Sequence, residues 1–182
     1  KPTATPLPTA TPMATIDAPW YRERNKQLRT LIRNYRPKAT ESEIDQAIAR
    51  MAIDPNKPMV ALTFDDGPKP GITDKILDVL EQYNARATFF VLGWRFGREG
   101  KEDILRRAVS LGCEIGNHTW SHDRLPGQNY VAVRNEIRNT NKVVFDITGV
   151  QPHCFRPPGG QNTYEAMRVA RENDMVVVLW SQ

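Results

Sequence analysis

The sequence predicts an α/β protein built on a parallel β-sheet. After Pro58, short runs rich in β-branched and aromatic residues alternate with stretches in which apolar residues recur three and four positions apart. This alternation of strand and helix is typical of parallel sheets with helical crossovers. With 182 residues, of which 40% are hydrophobic, the chain is long enough for one domain with an appendage. We therefore expect a packed core covered by helices.

The predicted elements follow one another in regular order. The predicted strands are residues 59–64, 87–92, 113–116, 153–156 and 175–180. The helices predicted between and after them are residues 73–83, 102–111, 129–147 and 163–173. In such folds functional groups gather at the carboxyl ends of the strands, so we look for chemistry there.

The first 58 residues have a different composition. Residues 1–15 contain five Thr, four Pro and three Ala. Repeated prolines fix φ and remove backbone donors, which predicts an extended linker. Two helices are predicted after it, one over residues 20–35 and one that begins at the capping pair Thr40 and Glu43. The predicted organisation is therefore a linker, a helical extension and a main domain, with boundaries at 1–15, 16–58 and 59–182.

Charge and hydropathy exclude two classes of partner. The first 58 residues carry 10 basic and 6 acidic residues, whereas residues 59–182 carry 15 of each. The balanced main domain argues against a nucleic-acid partner. The chain also has no uncharged apolar run near the roughly 18 residues that span a bilayer.

Because Thr/Pro tracts are common between modules of exported proteins, we expect a secreted or cell-surface protein.

Two adjacent carboxylates follow the first predicted strand. The run ALTF at residues 61–64 leads into Asp65 and Asp66, and the turn residues Gly67 and Pro68 come next. Successive side chains of a strand point in opposite directions, so one acid can bind a metal while the other stays ionised as a base. The alternative is an ordinary Asp-Gly-Pro turn without chemistry.

His118 and His122 follow the third predicted strand, and they are two of the three histidines in the chain. On a helical turn this spacing places both imidazoles on one face, which suits two ligands of one divalent cation. The alternative is a surface pair without function. Together with Asp66 they would form a site of two histidines and one carboxylate, with a position open for water.

Arg156 ends the fourth predicted strand, ahead of Pro-Pro and Gly-Gly. An Arg at this edge could pair with Asp65 and keep it ionised beside a cation. An amide of the following turn could face a developing oxyanion. The alternative is an Arg that only extends along a loop into solvent.

Three motifs in this order make a specific resemblance. The segments TFDDGP (63–68), HTWSH (118–122) and RPP (156–158) resemble the first three motifs of the polysaccharide deacetylases with a NodB homology domain, carbohydrate esterase family 4. The resemblance covers roughly residues 59–182. It implies a distorted (β/α) barrel in which one divalent metal drives removal of acetyl groups from glycans. Zinc is the expected metal, with cobalt or nickel as alternatives.

The resemblance also implies a role for each matching residue. Asp66, His118 and His122 would hold the metal, and Asp65 would be the base that activates water. Arg156 would hold Asp65 in place. The family usually has an aromatic residue where this chain has Gly159, whose backbone N–H would contribute to the oxyanion hole.

Two parts of the family pattern have no match. An Asp-containing segment that orients the motif arginine would follow Trp180, and a final strand would end in a general-acid histidine. His153 does not match that histidine, because it precedes the arginine motif. We therefore expect a barrel that lacks its C-terminal strands in this chain, either cleaved with the remainder associated as a second polypeptide or otherwise truncated.

The two cysteines, Cys113 and Cys154, lie on strands that are consecutive in sequence. A disulfide between them is geometrically possible. Adjacent parallel strands seldom place their Cβ atoms for bridging, so we favour two buried free thiols.

The predicted function is metal-dependent deacetylation of an acetylated polysaccharide. Peptidoglycan N-acetylglucosamine is the first candidate substrate, with chitin oligomers and acetylxylan next. A carbohydrate-binding fragment without turnover is the alternative, because the general acid is missing. A metal phosphodiesterase would need additional cations for phosphate, which the balanced charge does not supply. Asp65 favours catalysis, because a binding protein needs no base.

Overall fold

The computed structural model describes residues 26, 29, 30, 33, 40–50, 60–97 and 100–180. The chain divides into two compact units, residues 1–57 and 58–182. The predicted linker over residues 1–15 lies outside the described residues. So do the apolar positions that predicted the helix over residues 20–35, although the four described residues of that stretch are helical.

In the first unit, helix α1 spans Glu41–Arg50. The backbone N–H of Thr40 donates to Glu43 Oε2 at 2.8 Å, and the N–H of Glu43 donates to Thr40 Oγ1 at 3.3 Å. This reciprocal pair satisfies backbone donors that a helix start leaves without partners. The capping box predicted from Thr40 and Glu43 is thereby confirmed.

The second unit is built on one parallel sheet of five strands in the order β1-β2-β3-β4-β5. The strands are β1 (Thr63–Gly67), β2 (Thr88–Val91), β3 (Glu114–Asn117), β4 (Cys154–Phe155) and β5 (Val176–Val177). Helices connect consecutive strands, as parallel pairing requires. The predicted α/β class is confirmed.

Among the described residues, four α-helices accompany the sheet, and their bounds lie within one residue of the predicted ones. They are α2 (Thr73–Gln82), α3 (Lys101–Ser110), α4 (Tyr130–Thr148) and α5 (Tyr164–Glu172). Short 3-10 turns at Gly93–Arg95 and Pro158–Gly160 follow β2 and β4. Asn129 caps α4 and Thr163 caps α5, each accepting a backbone N–H from three residues further on.

Two apolar clusters hold the helices against the sheet. The first joins β2 and β3 to α2 and α3 through residues that include Leu77, Phe89, Leu105 and Ile115. The second joins β4 to α4 and α5 through residues that include Val133, Ile137, Phe155 and Val169. Because these apolar contacts lie between the helices and the sheet, the polar edge of the sheet is formed by the loops at the carboxyl ends of the strands.

The first and last strands differ from the prediction in their bounds. β1 begins at Thr63 instead of residue 59 and continues through the two acids to Gly67. In the described residues it pairs with β2, whose first residue Thr88 lies opposite Thr63, so residues 60–62 lie before the start of the ladder. β5 is only two residues long because its partner β4 also has two.

Both cysteines are buried free thiols, as favoured from the sequence. Burial raises the pKa of the Cys113 thiol, and burial next to Glu114 raises the pKa of Cys154 further. In the described part of the chain, no helix has the length and apolar character needed to cross a membrane.

Candidate metal centre

A β-bulge separates the two carboxylates at the end of β1. Asp65 pairs with Phe90 and Gly67 pairs with Val91, so Asp66 is an extra residue in the ladder. Asp66 adopts a left-handed φ of 66°. A bulge redirects the side chain of the extra residue, which lets neighbouring acids enter different surroundings. The side chain of Asp65 is 30% exposed and that of Asp66 is 56% exposed.

The loop that carries the two histidines is not a helical turn, and in this respect the prediction is wrong. Thr119 and His122 both have left-handed φ values, 73° and 69°. Asn117 Oδ1 accepts the N–H of Thr119 at 2.8 Å, and Thr119 Oγ1 accepts the N–H of His122 at 3.2 Å. These local bonds compete with helix formation. The bent loop still brings the two imidazole centroids within 5.0 Å.

The structure brings Asp66, His118 and His122 together, with one ligand atom from each residue lying within 4.8 Å of the others. Asp66 Oδ1 lies 3.3 Å from His122 Nε2 and 3.6 Å from His118 Nε2. Three potential metal ligands, carried at the ends of two different strands, therefore surround one point. No other group of this kind is found among the described residues.

His118 is oriented by the main chain of β4. Its Nδ1 lies 2.6 Å from the carbonyl oxygen of Arg156. A carbonyl can only accept, so Nδ1 carries the proton and Nε2 keeps its lone pair on the side of Asp66. Burial lowers the pKa of His118, which favours the neutral imidazole that a metal requires.

This donor set fits a divalent cation of the zinc class. Two imidazole nitrogens and one carboxylate oxygen are common ligands of catalytic zinc, and the same set suits cobalt and nickel. The hydrogen bond from His118 to a backbone carbonyl is the kind of outer contact that fixes ligands of real metal sites. Asp66 and His122 are exposed, so a cation could reach them from solvent.

Arg156 is almost completely buried, with 3% of its side chain exposed. Its Nη1 donates to Asp65 Oδ1 at 2.7 Å and to Thr63 Oγ1 at 3.0 Å. Nε donates to the carbonyl of Val178 and Nη2 to that of Leu179, each at 3.2 Å. The guanidinium therefore joins β1 to the segment after β5 and places its charge beside Asp65.

Two aromatic rings lie against this guanidinium. Its central carbon is 4.1 Å from the centroid of Phe90 and 5.6 Å from that of Trp180. A planar, weakly hydrated cation can use its faces for rings while its edges donate hydrogen bonds. A lysine ammonium is not planar and cannot combine the two kinds of contact in this way.

Asp65 presents its second oxygen to the cluster. Oδ1 accepts from Arg156, while Oδ2 lies 4.0 Å from His118 Nε2. Gly159 is exposed in the turn Pro158–Gly160, with φ 62° and ψ 16°. Gly159 lies three residues after Arg156 in the sequence. Its role in an oxyanion hole stays a prediction.

Several supporting residues were not found from the sequence. Glu136 on α4 accepts the backbone N–H groups of Trp120 and Ser121 at 2.9 and 2.8 Å. Asn117 donates to the carbonyl of Ile137 and to Asn141. The only available signal was position: Asn117 immediately precedes the first histidine, and Glu136 immediately precedes a core residue of α4.

The fold and the site together define a class of protein. Its members are α/β proteins with a parallel sheet and an Asp-His-His cluster at the carboxyl ends of the strands. A second aspartate, held by an arginine, lies beside the cluster. The sequence model of the polysaccharide deacetylase family matches residues 52–178. The chain belongs to the polysaccharide deacetylase family, as the three motifs indicated.

Two similar proteins are peptidoglycan deacetylases of Bacillus species. A peptidoglycan-N-acetylglucosamine deacetylase of Bacillus cereus is 42% identical over 126 residues, which are 69% of this chain and 45% of that protein. The peptidoglycan-N-acetylmuramic acid deacetylase PdaC of Bacillus subtilis is 40% identical over 129 residues, 70% of this chain and 26% of that one. The chain thus spans less than half the length of these two relatives.

The solved structure of PdaC from Bacillus subtilis is similar in fold. It superposes with a TM-score of 0.64 at 40% identity, over 71% of this chain and 61% of that one. The NodB-type fold expected from the resemblance is therefore confirmed for the matched region.

Proposed function

We propose that the chain carries the catalytic domain, residues 59–182, of a metal-dependent deacetylase that removes acetyl groups from peptidoglycan N-acetylglucosamine. One observation carries the proposal: Asp66, His118 and His122 converge within 4.8 Å, and an aspartate held by a buried arginine lies beside them. A binding protein needs a cluster of ligands but not a positioned base. The relatives that act on peptidoglycan support the same reaction.

Asp66, His118 and His122 would hold the metal, for which we propose zinc. When bound, a cation of this class polarises a carbonyl and lowers the pKa of water, which supplies Lewis acidity and a nucleophile at neutral pH. His118 contributes Nε2 because its Nδ1 proton is committed to the carbonyl of Arg156. The protein therefore presents the correct tautomer before any ligand arrives.

Asp65 is the proposed general base. Arg156 donates to Oδ1, so Oδ2 is available to accept a proton from water as it attacks the acetyl carbon. The amide C–N bond then breaks, Asp65 returns the proton to the sugar nitrogen, and the released acetic acid gives up its own proton to become acetate. The backbone N–H of Gly159 is the proposed donor to the oxyanion that develops on the acetyl oxygen.

The proposed substrate rests on two relatives that have similar sequence identity to this chain and act on different sugars of peptidoglycan. One is named for N-acetylglucosamine and the other for N-acetylmuramic acid. We propose N-acetylglucosamine of peptidoglycan, and we place the protein outside the cell or at its surface, where that substrate is. Chitin oligomers and acetylxylan are the next substrates to test.

Acetate release tests the proposal. The chain is stripped of metal with a chelator, reloaded with Zn²⁺, Co²⁺ or Ni²⁺, and incubated with peptidoglycan and with N-acetylglucosamine oligomers. We expect release only after reloading. Asp65→Asn should lower the rate by about 10²-fold or more, as removal of a general base does. Asp123→Asn is the matched control, because this exposed acid lies next to His122 outside the cluster.

Two outcomes would contradict the proposal. Equal rates for Asp65→Asn and Asp123→Asn would exclude Asp65 as the base. Binding of glycan without acetate release under any metal would favour the carbohydrate-binding alternative. The expected association with a second polypeptide stays a prediction, which the mass of the native particle tests.

A further inference from the structure

The backbone of the loop over residues 118–122, here called the histidine loop, is held from two sides. On one side, its carbonyls at Thr119 and Trp120 accept the N–H groups of Gly93 and Trp94, both at 3.1 Å. On the other side, its N–H groups at Trp120 and Ser121 donate to a side chain of α4. The loop therefore depends on two neighbouring elements for its shape.

That side chain is Glu136, and one of its oxygens accepts both bonds. Oε2 lies 2.9 Å from the nitrogen of Trp120 and 2.8 Å from that of Ser121. Consecutive N–H groups that point to one anion form a compact, charge-assisted arrangement. Such bonds are stronger than those between neutral partners, so a carboxylate suits this position better than an amide or hydroxyl.

The loop needs this support because its own backbone is unfavourable. Thr119 and His122 both lie in the left-handed region, which non-glycine residues seldom adopt. Trp120 and Ser121, the two residues that Glu136 binds, lie between them. Conformations of this kind persist only where the surroundings impose them. Glu136 therefore binds the middle of the strained segment, at residues that lie between His118 and His122 in the sequence.

Helix α4 can impose a shape because it is itself fixed against β3. Asn117, at the end of β3, donates from Nδ2 to the carbonyl of Ile137 at 2.8 Å and to Asn141 Oδ1 at 2.7 Å. Ile137 is completely buried and immediately follows Glu136. The backbone at Glu136 thus has a defined position relative to the strand that leads into the histidine loop.

We infer that Glu136 is a positioning residue, which sets the conformation of the histidine loop and thereby the separation of His118 and His122. This inference extends the proposed metal site. Glu136 touches neither imidazole in the contacts described, so it acts through the backbone of Trp120 and Ser121. Its removal leaves two N–H groups without their acceptor and lets the loop relax toward ordinary backbone angles.

Cobalt binding by the full chain gives the first test. Co²⁺ is titrated into the metal-free protein and its visible absorption is recorded for wild type, Glu136→Ala, Glu136→Gln and Asp146→Ala. Glu136→Ala should lose about 10- to 100-fold in affinity, the usual effect of removing an outer contact of a metal site. Glu136→Gln keeps an acceptor oxygen and should fall between alanine and wild type.

Asp146→Ala is the matched control. It removes an acidic side chain from the same helix, where Asp146 forms an exposed pair with Lys142. It should bind Co²⁺ with wild-type affinity. Wild-type affinity in Glu136→Ala, or an equal loss in Asp146→Ala, would overturn the inference.

Amide hydrogen exchange gives a second test that needs no metal. In Glu136→Ala the N–H groups of Trp120 and Ser121 should exchange faster than in wild type, while those of core residues Val144 and Leu105 should not change. A uniform rise across all four would indicate general destabilisation and overturn the specific role. If wild type binds no Co²⁺, the proposed metal site fails, and the exchange data still decide the role of Glu136.

Discussion

Two arginines of this protein have ion pairs of the same length in opposite surroundings. Arg156 lies 2.7 Å from Asp65, and its side chain is 3% exposed. Arg107 on α3 lies 2.8 Å from Asp78 and 2.7 Å from Glu81, and its side chain is 35% exposed. The ion-pair distances alone do not distinguish the Arg156 cluster from the Arg107 cluster. The burial of each cluster must therefore decide how much it contributes to stability.

The two clusters differ in what surrounds their charged groups, which is solvent around Arg107 and other protein groups around Arg156. Around Arg107 the carboxylates are more than half exposed, so solvent screens the pairs and hydrates each partner when they separate. Around Arg156 every nitrogen of the guanidinium has a protein acceptor, and rings of Phe90 and Trp180 cover its faces. Breaking this arrangement would leave buried polar groups without partners.

The largest expected effect is therefore at Arg156. Arg156→Ala should destabilise the fold by about 3 kcal/mol, because it leaves the partners of a buried cation uncompensated. It should also lower acetate release, because Asp65 loses the cation that holds it. Chemical denaturation measures the first effect and an acetate assay the second.

Arg156→Lys tests whether charge alone suffices. A lysine restores the positive charge, but its single ammonium nitrogen cannot reach the acceptors that lie around the planar guanidinium, and it cannot stack as a plane. It should recover part of the stability and little of the activity. Full recovery of both would show that the guanidinium geometry is unimportant, which would weaken the contrast between the clusters.

The fold was predictable from the sequence because its signals are local. Helix periodicity and the alternation of elements located the four α-helices described in the second unit to within one residue. Strand lengths were less accurate, because a strand extends only where a partner lies beside it. β1 thus begins at Thr63, opposite the start of β2 at Thr88, although the sequence before it reads as strand.

The site was predictable to the level of residue identity. Parallel strands have their carboxyl ends at one edge, so acids, histidines and an arginine found at three strand ends must meet. The backbone there was not predictable. The bulge at Asp66 lies in the pairing of β1 with β2, and the loop with the left-handed Thr119 and His122 is bound by Glu136 from a distant helix; no local pattern encodes either feature.

Burial should also decide the effect of glycine substitutions near the site. A Cβ at Gly93 would lie 2.3 Å from Trp120 Cε3 and 2.6 Å from Thr140 Oγ1, whereas a Cβ at Gly97 meets nothing within 4 Å. Gly93→Ala should cost about 3 kcal/mol through overpacking. Gly97→Ala should cost about 1 kcal/mol, because its φ of +82° is left-handed. Thermal unfolding ranks the two variants, and the reverse order would contradict this interpretation.

A buried thiol gives a smaller effect with a definite pH dependence. Because burial raises the pKa of Cys154, iodoacetamide should modify it only in denaturant, since the thiolate is the reactive form. In the unfolded chain the thiol ionises near pH 8.5. Above that pH the unfolded state binds fewer protons than the folded state, so stability falls as pH rises.

Mass spectrometry after alkylation, and denaturation at several pH values, check both statements. Cys154→Ala should reduce the loss of stability between neutral and alkaline pH. Rapid alkylation of Cys154 in the folded protein, or an unchanged slope in the variant, would show that this residue is not buried as described.

The smallest effect is expected at Arg107, and it completes the comparison with Arg156. Arg107→Ala removes two ion pairs that are shorter than 3 Å, yet the pairs are exposed and screened. The expected loss of stability is much smaller than that of Arg156→Ala, with no change in acetate release and a smaller difference from wild type at high salt. Denaturation at low and high ionic strength measures it. A loss at Arg107 as large as that at Arg156 would mean that pair distance, and not burial, governs both clusters.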